Sequence, residues 1–357
     1  MKVLHIIPTL RVGGAEKLLV DTLEEMLSQG VKCELIVLTE EQDFFKERLS
    51  KMNVTVYYSS CKSVYDPRNI LFIKRVVQQN EYDCVHTHLF SAQLFMAIAN
   101  RTFWEKLPLI TTEHSTNNRR RENKIFYYLD SWMYKQYDQI IAITEGTREK
   151  LVRYLSSTEK KTVVVYNGLQ LADFQQTATP DQSWEPIDNE VIILMVAGMR
   201  AEKDHTTLIR ASKLLPENYR VVFVGDGDLL EETIDYSTMH GRETIVFLGA
   251  RSDVPAIMKA ADIFVLSSKW EGFGLVVVEA AAAGLPIVAS NVAGLKEVVK
   301  DVDGLLFEPG NESDLAEKIM QVTTKKSTVT QEYLEKYHIT NMVSSYLELY
   351  KQAINTM

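Results

Sequence analysis

Residues Ser267 to Ser290 read SSKWEGFGLVVVEAAAAGLPIVAS, and their order decides what kind of sheet this chain builds. The apolar run just before them, Ile263-Phe264-Val265-Leu266, predicts a strand buried on both faces, as the strands of parallel sheets are. A loop holding Trp270, Glu271, Gly272, Phe273 and Gly274 follows. Leu275 to Ala283 then predicts an Ala-rich helix, closed by Gly284 at its end and Pro286 just beyond. Pro286 to Ala289 predicts the next buried strand. A strand, a glycine loop, a helix and a second strand make one turn of a parallel α/β sheet. The helix turns its free N–H groups and positive dipole end toward the loop, an arrangement that suits a phosphate.

Two carboxylates punctuate this unit. Glu271 lies in the loop and Glu279 in the helix, with seven residues between them. A helix-capping Glu271 and a surface Glu279 would be the plain reading. Against it, Glu279 sits between Val276-Val277-Val278 and Ala280-Ala281-Ala282, where the helix has little polar face and a carboxylate needs hydrogen-bonding partners. Ligand hydroxyls could supply them.

Working outward, the chain of 357 residues has room for about two domains, each with its own core. A hydrophobic fraction of 46% and a charged fraction of 24% are those of a soluble globular protein. No apolar run reaches the roughly 18 residues of a membrane span, and MKVLHIIPTL predicts a first strand rather than a signal peptide. Cys33, Cys61 and Cys84 show no disulfide or zinc spacing and fit buried thiols in a reducing cytosol. A net charge of -9 argues against nucleic acid as a partner.

The rest of the chain repeats the strand-and-helix alternation. Val3–Ile7, Cys33–Leu38, Val54–Tyr58, Cys84–His88, Leu109–Thr112, Ile140–Ile143 and Val163–Val165 predict one sheet, and 170–190 reads as a polar linker. Val191–Ala197, Val221–Val224, Ile245–Leu248, Ile263–Leu266, Pro286–Ala289 and Gly304–Phe307 predict a second, and Tyr333–Met357 a closing helix. Ligands of such sheets gather at the carboxyl ends of the strands, which directs attention to the loops there. Gly13-Gly14-Ala15-Glu16 follows the first strand, without the full dinucleotide pattern. His114 ends a buried strand, where an imidazole suits a sugar hydroxyl or an anion. His86 and His88 share one side of their strand; local hydrogen bonding precedes metal there, since no Asp or Cys stands at ligand spacing. Arg200 and Lys203, three apart after the strand at 191–197, are surface charges on the plain reading, but two cations at a sheet's carboxyl edge opposite a helix N-terminus suit a diphosphate clamp. Asp226 and Asp228 read as a tight glycine turn rather than a metal pair. Arg119, Arg120, Arg121 and Lys124 lead into Phe126, Tyr127, Tyr128, Trp132 and Tyr134, either a solvated turn before a core helix or a patch for an anionic membrane surface or lipid diphosphate.

The string from Glu271-Gly272-Phe273-Gly274 to Glu279 resembles the E-x7-E motif of family 4 retaining glycosyltransferases, which use nucleotide sugars and have the GT-B fold. Gly198 to Lys203 resembles that family's G-x-(R/P)-x-x-K signature, Gly13-Gly14-Ala15-Glu16 its GGAE loop, and Asn167-Gly168 its domain junction. The resemblance implies two Rossmann-like β/α/β domains facing across a cleft: 1–170 for the acceptor, a linker 171–190, 191–339 for the nucleotide sugar, and a final helix 340–357 returning to the first domain. It implies that Glu271 meets the donor sugar and Glu279 the ribose. Gly272, Phe273, Gly274, Leu275 and Val276 would present amides to the diphosphate, and Gly13 and Gly14 would lie near the donor phosphates. Arg200 and Lys203 would neutralise the diphosphate, the backbone at Arg251 would read the base, and His114 would lie near the transferred sugar.

The expectation is therefore a metal-independent hexosyltransferase without cofactor. It would move a sugar, UDP-linked, to a glycan or lipid-linked acceptor with retention, in cell-surface polysaccharide synthesis. Its expected place is the cytoplasm, peripheral at the inner face of the membrane through Arg119, Arg120 and Arg121. A sugar-nucleotide epimerase of similar fold and a non-enzymatic membrane-surface protein are the rival classes.

Overall fold

The computed structural model describes residues 1–11, 13–39, 43–114, 119–175, 189–322 and 329–356, the side chains of Arg119, Glu122, Asp173 and Gln175 excepted. Most of the expected linker lies outside the described residues. The chain forms two compact units, Met1–Leu169 with Tyr337–Met357, and Gln170–Lys336.

In the first unit, β1 (Lys2–Ile7), β2 (Lys32–Val37), β3 (Thr55–Tyr58), β4 (Cys84–His88), β5 (Leu109–Glu113), β6 (Gln139–Ala142) and β7 (Thr162–Val164) form one sheet. It has the order β3-β2-β1-β4-β5-β6-β7, every pairing parallel. The sequence alternates strand with helix because a parallel connection must cross over one face of the sheet. Leu4, Ile6, Val85, Leu109 and Ile140 pack on one face against Phe95, Met96, Met133, Tyr134 and Leu151 from the crossover helices. Side chains alternate across a strand, so His5, His86 and His88 fall on the opposite face. There the C-terminal helix Ile339–Thr356 lays Tyr346 and Tyr350 against His86.

In the second unit, β8 (Val191–Val196), β9 (Tyr219–Val224), β10 (Val246–Phe247), β11 (Ile263–Leu266), β12 (Ile287–Ser290) and β13 (Leu305–Phe307) pair in parallel in the order β10-β9-β8-β11-β12-β13. Each sheet reverses its strand order once, at β1/β4 and at β8/β11. At such a switch point adjacent loops leave in opposite directions and open a crevice outside the carboxyl ends.

The final helix differs from its sequence reading. Instead of one helix from Tyr333, two form, Gln331–Lys336 and Ile339–Thr356. Between them the backbone turns to pair with Leu169, whose N–H donates to the Tyr337 carbonyl at 2.9 Å and whose carbonyl accepts from the Ile339 N–H at 3.1 Å. These long-range bonds replace intrahelical ones, which no local periodicity could announce.

Candidate active site

The second unit brings Lys203 and Glu271 together at the β8/β11 switch point, while Arg251 lies beyond β10 at the far edge of the sheet. The loop after β8 carries Arg200 and Lys203, and the loop after β11 carries Glu271. Lys203 Nζ forms an ion pair with Glu271, and Ser268 Oγ donates to the same carboxylate at 3.2 Å. Ser267 Oγ donates to the carbonyl oxygens of Lys203 and Asp204, at 3.2 and 2.9 Å, and the Lys269 N–H to that of Glu202 at 2.8 Å. Two loops that meet only through topology are thus stitched into one wall. Arg200 is exposed and its guanidinium has no hydrogen-bond partner among the described residues, which leaves it open to an anion.

The helix Leu275–Ala282 starts from Gly274, whose φ of +81° is left-handed. Its N-terminus is uncapped by any side chain, and two residues inside it Val277 and Val278 are fully buried. Glu279 is 9% exposed, as its apolar neighbours predict. Gly294 packs against the loop from below: with φ at +91°, a Cβ there would lie 2.5 Å from the Glu271 carbonyl oxygen and 2.8 Å from that of Gly272. This close approach fixes the loop backbone, and hence Glu271. Arg251 pairs with Asp253 at 2.7 Å. Asp226 Oδ1 accepts the N–H of Gly227 at 2.7 Å, a turn.

In the first unit, Gly13 and Gly14 open the helix Gly14–Ser28 at the carboxyl end of β1, and the Gly13 carbonyl accepts the Lys17 N–H at 3.0 Å. His114 is half-buried just beyond β5, and its Nε2 lies 3.2 Å from His88 Nδ1. His88 Nε2 in turn lies 3.2 Å from His5 Nδ1. His86 is held apart from this file by Tyr350 Oη at 2.6 Å and Thr112 Oγ1 at 2.7 Å. Burial pushes the pKa of His5 down to about 3 and that of His114 to about 4, the latter against the pull of Glu113. His86 and His88 are pushed well down by burial too, so all four are neutral at pH 7. His5, His86 and His88 bring ring nitrogens within 4.8 Å of one another, but both nitrogens of His86 and of His88 are engaged in hydrogen bonds.

The arginine cluster needs correction. Arg120 and Arg121 do not face solvent as a basic patch. Arg121 pairs with Glu113 at 2.6 Å, with only 10% and 8% of the two side chains exposed. Arg120 pairs with the buried Asp130 at 3.2 Å and stacks on Phe90, 3.4 Å from the ring centre. Glu113 also accepts from Tyr134 and, at 3.0 Å, from Gln93. Burial opposes its charge, but Arg121 and these donors outweigh burial and hold its pKa below the ordinary value. The side chain of Arg119 lies outside the described ones. What the helix Lys124–Lys135 does expose is Lys124, Ile125, Tyr127, Tyr128, Trp132 and Lys135. An open cleft of about 250 Å³ lies beside it, lined by Arg121, Lys124, Tyr127, Tyr128 and Tyr154. His5 escaped sequence reading because its partner His88 stands on a neighbouring strand, and the Glu113–Arg121–Tyr134 network because it forms only when the segment after β5 folds back on that strand's end.

Known proteins bear out the family resemblance. Residues 12–173 match the model of "Glycosyltransferase Family 4" and residues 178–339 that of "Glycosyl transferases group 1". The UDP-Gal:alpha-D-GlcNAc-diphosphoundecaprenol alpha-1,3-galactosyltransferase of Escherichia coli is 25% identical over 345 residues, 91% of this chain and 89% of its own. A Campylobacter jejuni N-acetylgalactosamine-N,N'-diacetylbacillosaminyl-diphospho-undecaprenol 4-alpha-N-acetylgalactosaminyltransferase is 24% identical over 319 residues, 85% of either chain. Among solved structures, HepE of Anabaena in complex with UDP and glucose superposes with a TM-score of 0.82 at 21% identity, covering 99% of this chain and 100% of that one, a likeness of fold. With both halves matched and both sheets of the expected kind, the chain belongs to the family 4, group 1 glycosyltransferases of GT-B fold.

Proposed function

We propose that this glycosyltransferase moves a hexose from a UDP-sugar to a sugar carried on a lipid diphosphate, with retention of anomeric configuration, in the assembly of a surface polysaccharide. The observation that carries the donor side is the joining of Lys203 and Glu271 beside the exposed Arg200 and an uncapped helix N-terminus, all at one switch point. Relatives that act on diphosphoundecaprenol-linked sugars support the acceptor side.

In the reaction the bond from the anomeric carbon to the diphosphate oxygen breaks and a bond to the acceptor oxygen forms. The acceptor's proton passes to the departing phosphate on the same face of the sugar. Negative charge grows on the diphosphate, where Arg200, Lys203 and the amides of Gly272 to Val276 stabilise it electrostatically. Those groups supply the charge that a divalent metal would otherwise bring. Glu271 orients the transferred sugar, Glu279 the ribose, and His114 a sugar oxygen, which holds the reacting atoms in line. Gly13 and Gly14 border the donor phosphates, and the backbone at Arg251 meets the base. For the lipid, the exposed aromatics Tyr127, Tyr128 and Trp132 between Lys124 and Lys135 offer an interfacial face: apolar rings to enter the headgroup region and lysines for anionic lipid.

Titration with UDP by calorimetry, and turnover of UDP-galactose, UDP-glucose and their N-acetyl counterparts on GlcNAc-diphosphoundecaprenol in excess chelator, test this. UDP binding and chelator-resistant formation of an α-linked product are expected. Absence of UDP binding overturns the donor assignment, and activity that returns only with magnesium or manganese overturns metal independence. An isomerised nucleotide sugar in place of a glycoside would make the protein an epimerase.

A further inference from the structure

The file of histidines crosses three strands diagonally. In register His5 stands beside His86 on the neighbouring strand, and His88 beside Thr112. The bonded pairs are instead His5 with His88 and His88 with His114, each step one strand across and two residues toward the carboxyl edge. At the deep end, His5 is fully buried and its Nε2 has no partner among the described residues. At the shallow end, His114 has its Nδ1 without a hydrogen-bond partner among the described residues.

Each neutral imidazole carries one N–H, so the three rings share only two consistent arrangements. In one, every ring donates from Nδ1 toward the carboxyl edge, and the orphan at His5 is a bare lone pair. In the other, every ring donates from Nε2 and the orphan is a buried N–H. Buried N–H groups without an acceptor are the rarer and costlier case, so the first arrangement is favoured. We infer that His88, itself aligned by His5, fixes His114 in the tautomer that carries its proton on Nδ1, so that this sheet edge presents a hydrogen-bond donor to a ligand oxygen. His88 and His5 are then positioning residues, acting through His114. His86 keeps out of the file because Tyr350 and Thr112 occupy both its nitrogens, while its ring packs on that of His88 with centroids 4.3 Å apart.

The consequence for catalysis rests on the placement of His114 at the donor sugar proposed above, but the tautomers can be read with no ligand present. Long-range proton–nitrogen correlation spectra of the full chain, labelled with 15N in histidine and assigned through His5→Asn, His88→Leu and His114→Asn, report which nitrogen of each ring is protonated. The expected result is Nδ1–H for His5, His88 and His114 in the unliganded protein. In His88→Leu, His114 should swing to mostly Nε2–H, the form an imidazole side chain prefers in water. Nε2–H at His114 in the parent protein overturns the inference whether or not His88→Leu folds, and so does a spectrum with the facing nitrogens of His5 and His88 both unprotonated, the sign of a bound ion. An Nδ1–H tautomer that survives in His88→Leu overturns the role of His88. Failure of UDP binding would sink the donor reading and leave this result standing.

Discussion

Lys203 and Glu271 form an ion pair with 22% and 12% of their side chains exposed. The pair holds the lysine at the switch point, and on the donor reading proposed above a diphosphate competes with the carboxylate for it. The two residues should therefore fail in opposite ways. Lys203→Ala removes a charge-assisted contact of about 1.5–3 kcal/mol, so UDP affinity should fall by ten-fold or more, by calorimetry. Glu271→Gln keeps the shape, frees the lysine and should leave UDP affinity equal or tighter while turnover of the intact UDP-sugar drops. Weaker UDP binding in Glu271→Gln would show that the carboxylate touches the nucleotide and not the sugar. Glu279→Gln, at the residue proposed for the ribose, should weaken bare UDP and donor alike.

At the scale of one element, the helix Lys124–Lys135 and the short turn before it have two faces with opposite duties. Inward, Arg120 and Arg121 neutralise Asp130 and Glu113, which anchors the segment following β5. Removing one member of a buried pair strands the other charge and costs about 3–5 kcal/mol. Arg120→Ser and Arg121→Ser should accordingly lower the melting temperature of the protein. Outward, Tyr128→Ser with Trp132→Ser should leave the melting temperature nearly unchanged and weaken cosedimentation with vesicles rich in anionic phospholipid. Vesicle binding that ignores the aromatic pair would remove this helix from the membrane-facing role.

For the whole molecule, the four neutral histidines of the first unit make its stability fall with acid. An unfolded imidazole titrates near 6.5, whereas His5 and His114 in the fold stay neutral until about 3 and about 4, and His86 and His88 also remain neutral well below 6.5. Between those values the unfolded chain binds more protons than the folded one, so stability present above pH 6.5 is lost as pH falls. Each group contributes up to about 1.4 kcal/mol per pH unit. The melting temperature should begin to drop between pH 7 and 5, before the carboxylates titrate, and replacing His5 with Asn should flatten that drop. A melting temperature level from pH 7 to 5 would contradict neutral burial of these rings.

How much was legible beforehand follows from the range of the forces involved. Strand Ile263–Leu266, Gly274 at the helix start, the thirteen strands among the described residues and the motifs at Arg200, Lys203, Glu271 and Glu279 are written in local sequence: apolar runs, glycine and proline punctuation, and short fixed spacings. The parallel architecture follows from that alternation, because a helix after each strand leaves no other connection. The pairing of Lys203 with Glu271, the inward turn of Arg120 and Arg121, the break at Tyr337-His338 and the file from His5 to His114 came only with tertiary structure. The first and last join residues that strand order brings side by side, and the others join a segment to a part of the chain it folds back on. A basic run looks the same in sequence whether its charges meet water or buried carboxylates. Burial selects between those outcomes, since a charge removed from water must find a partner, and the partner is chosen by the fold.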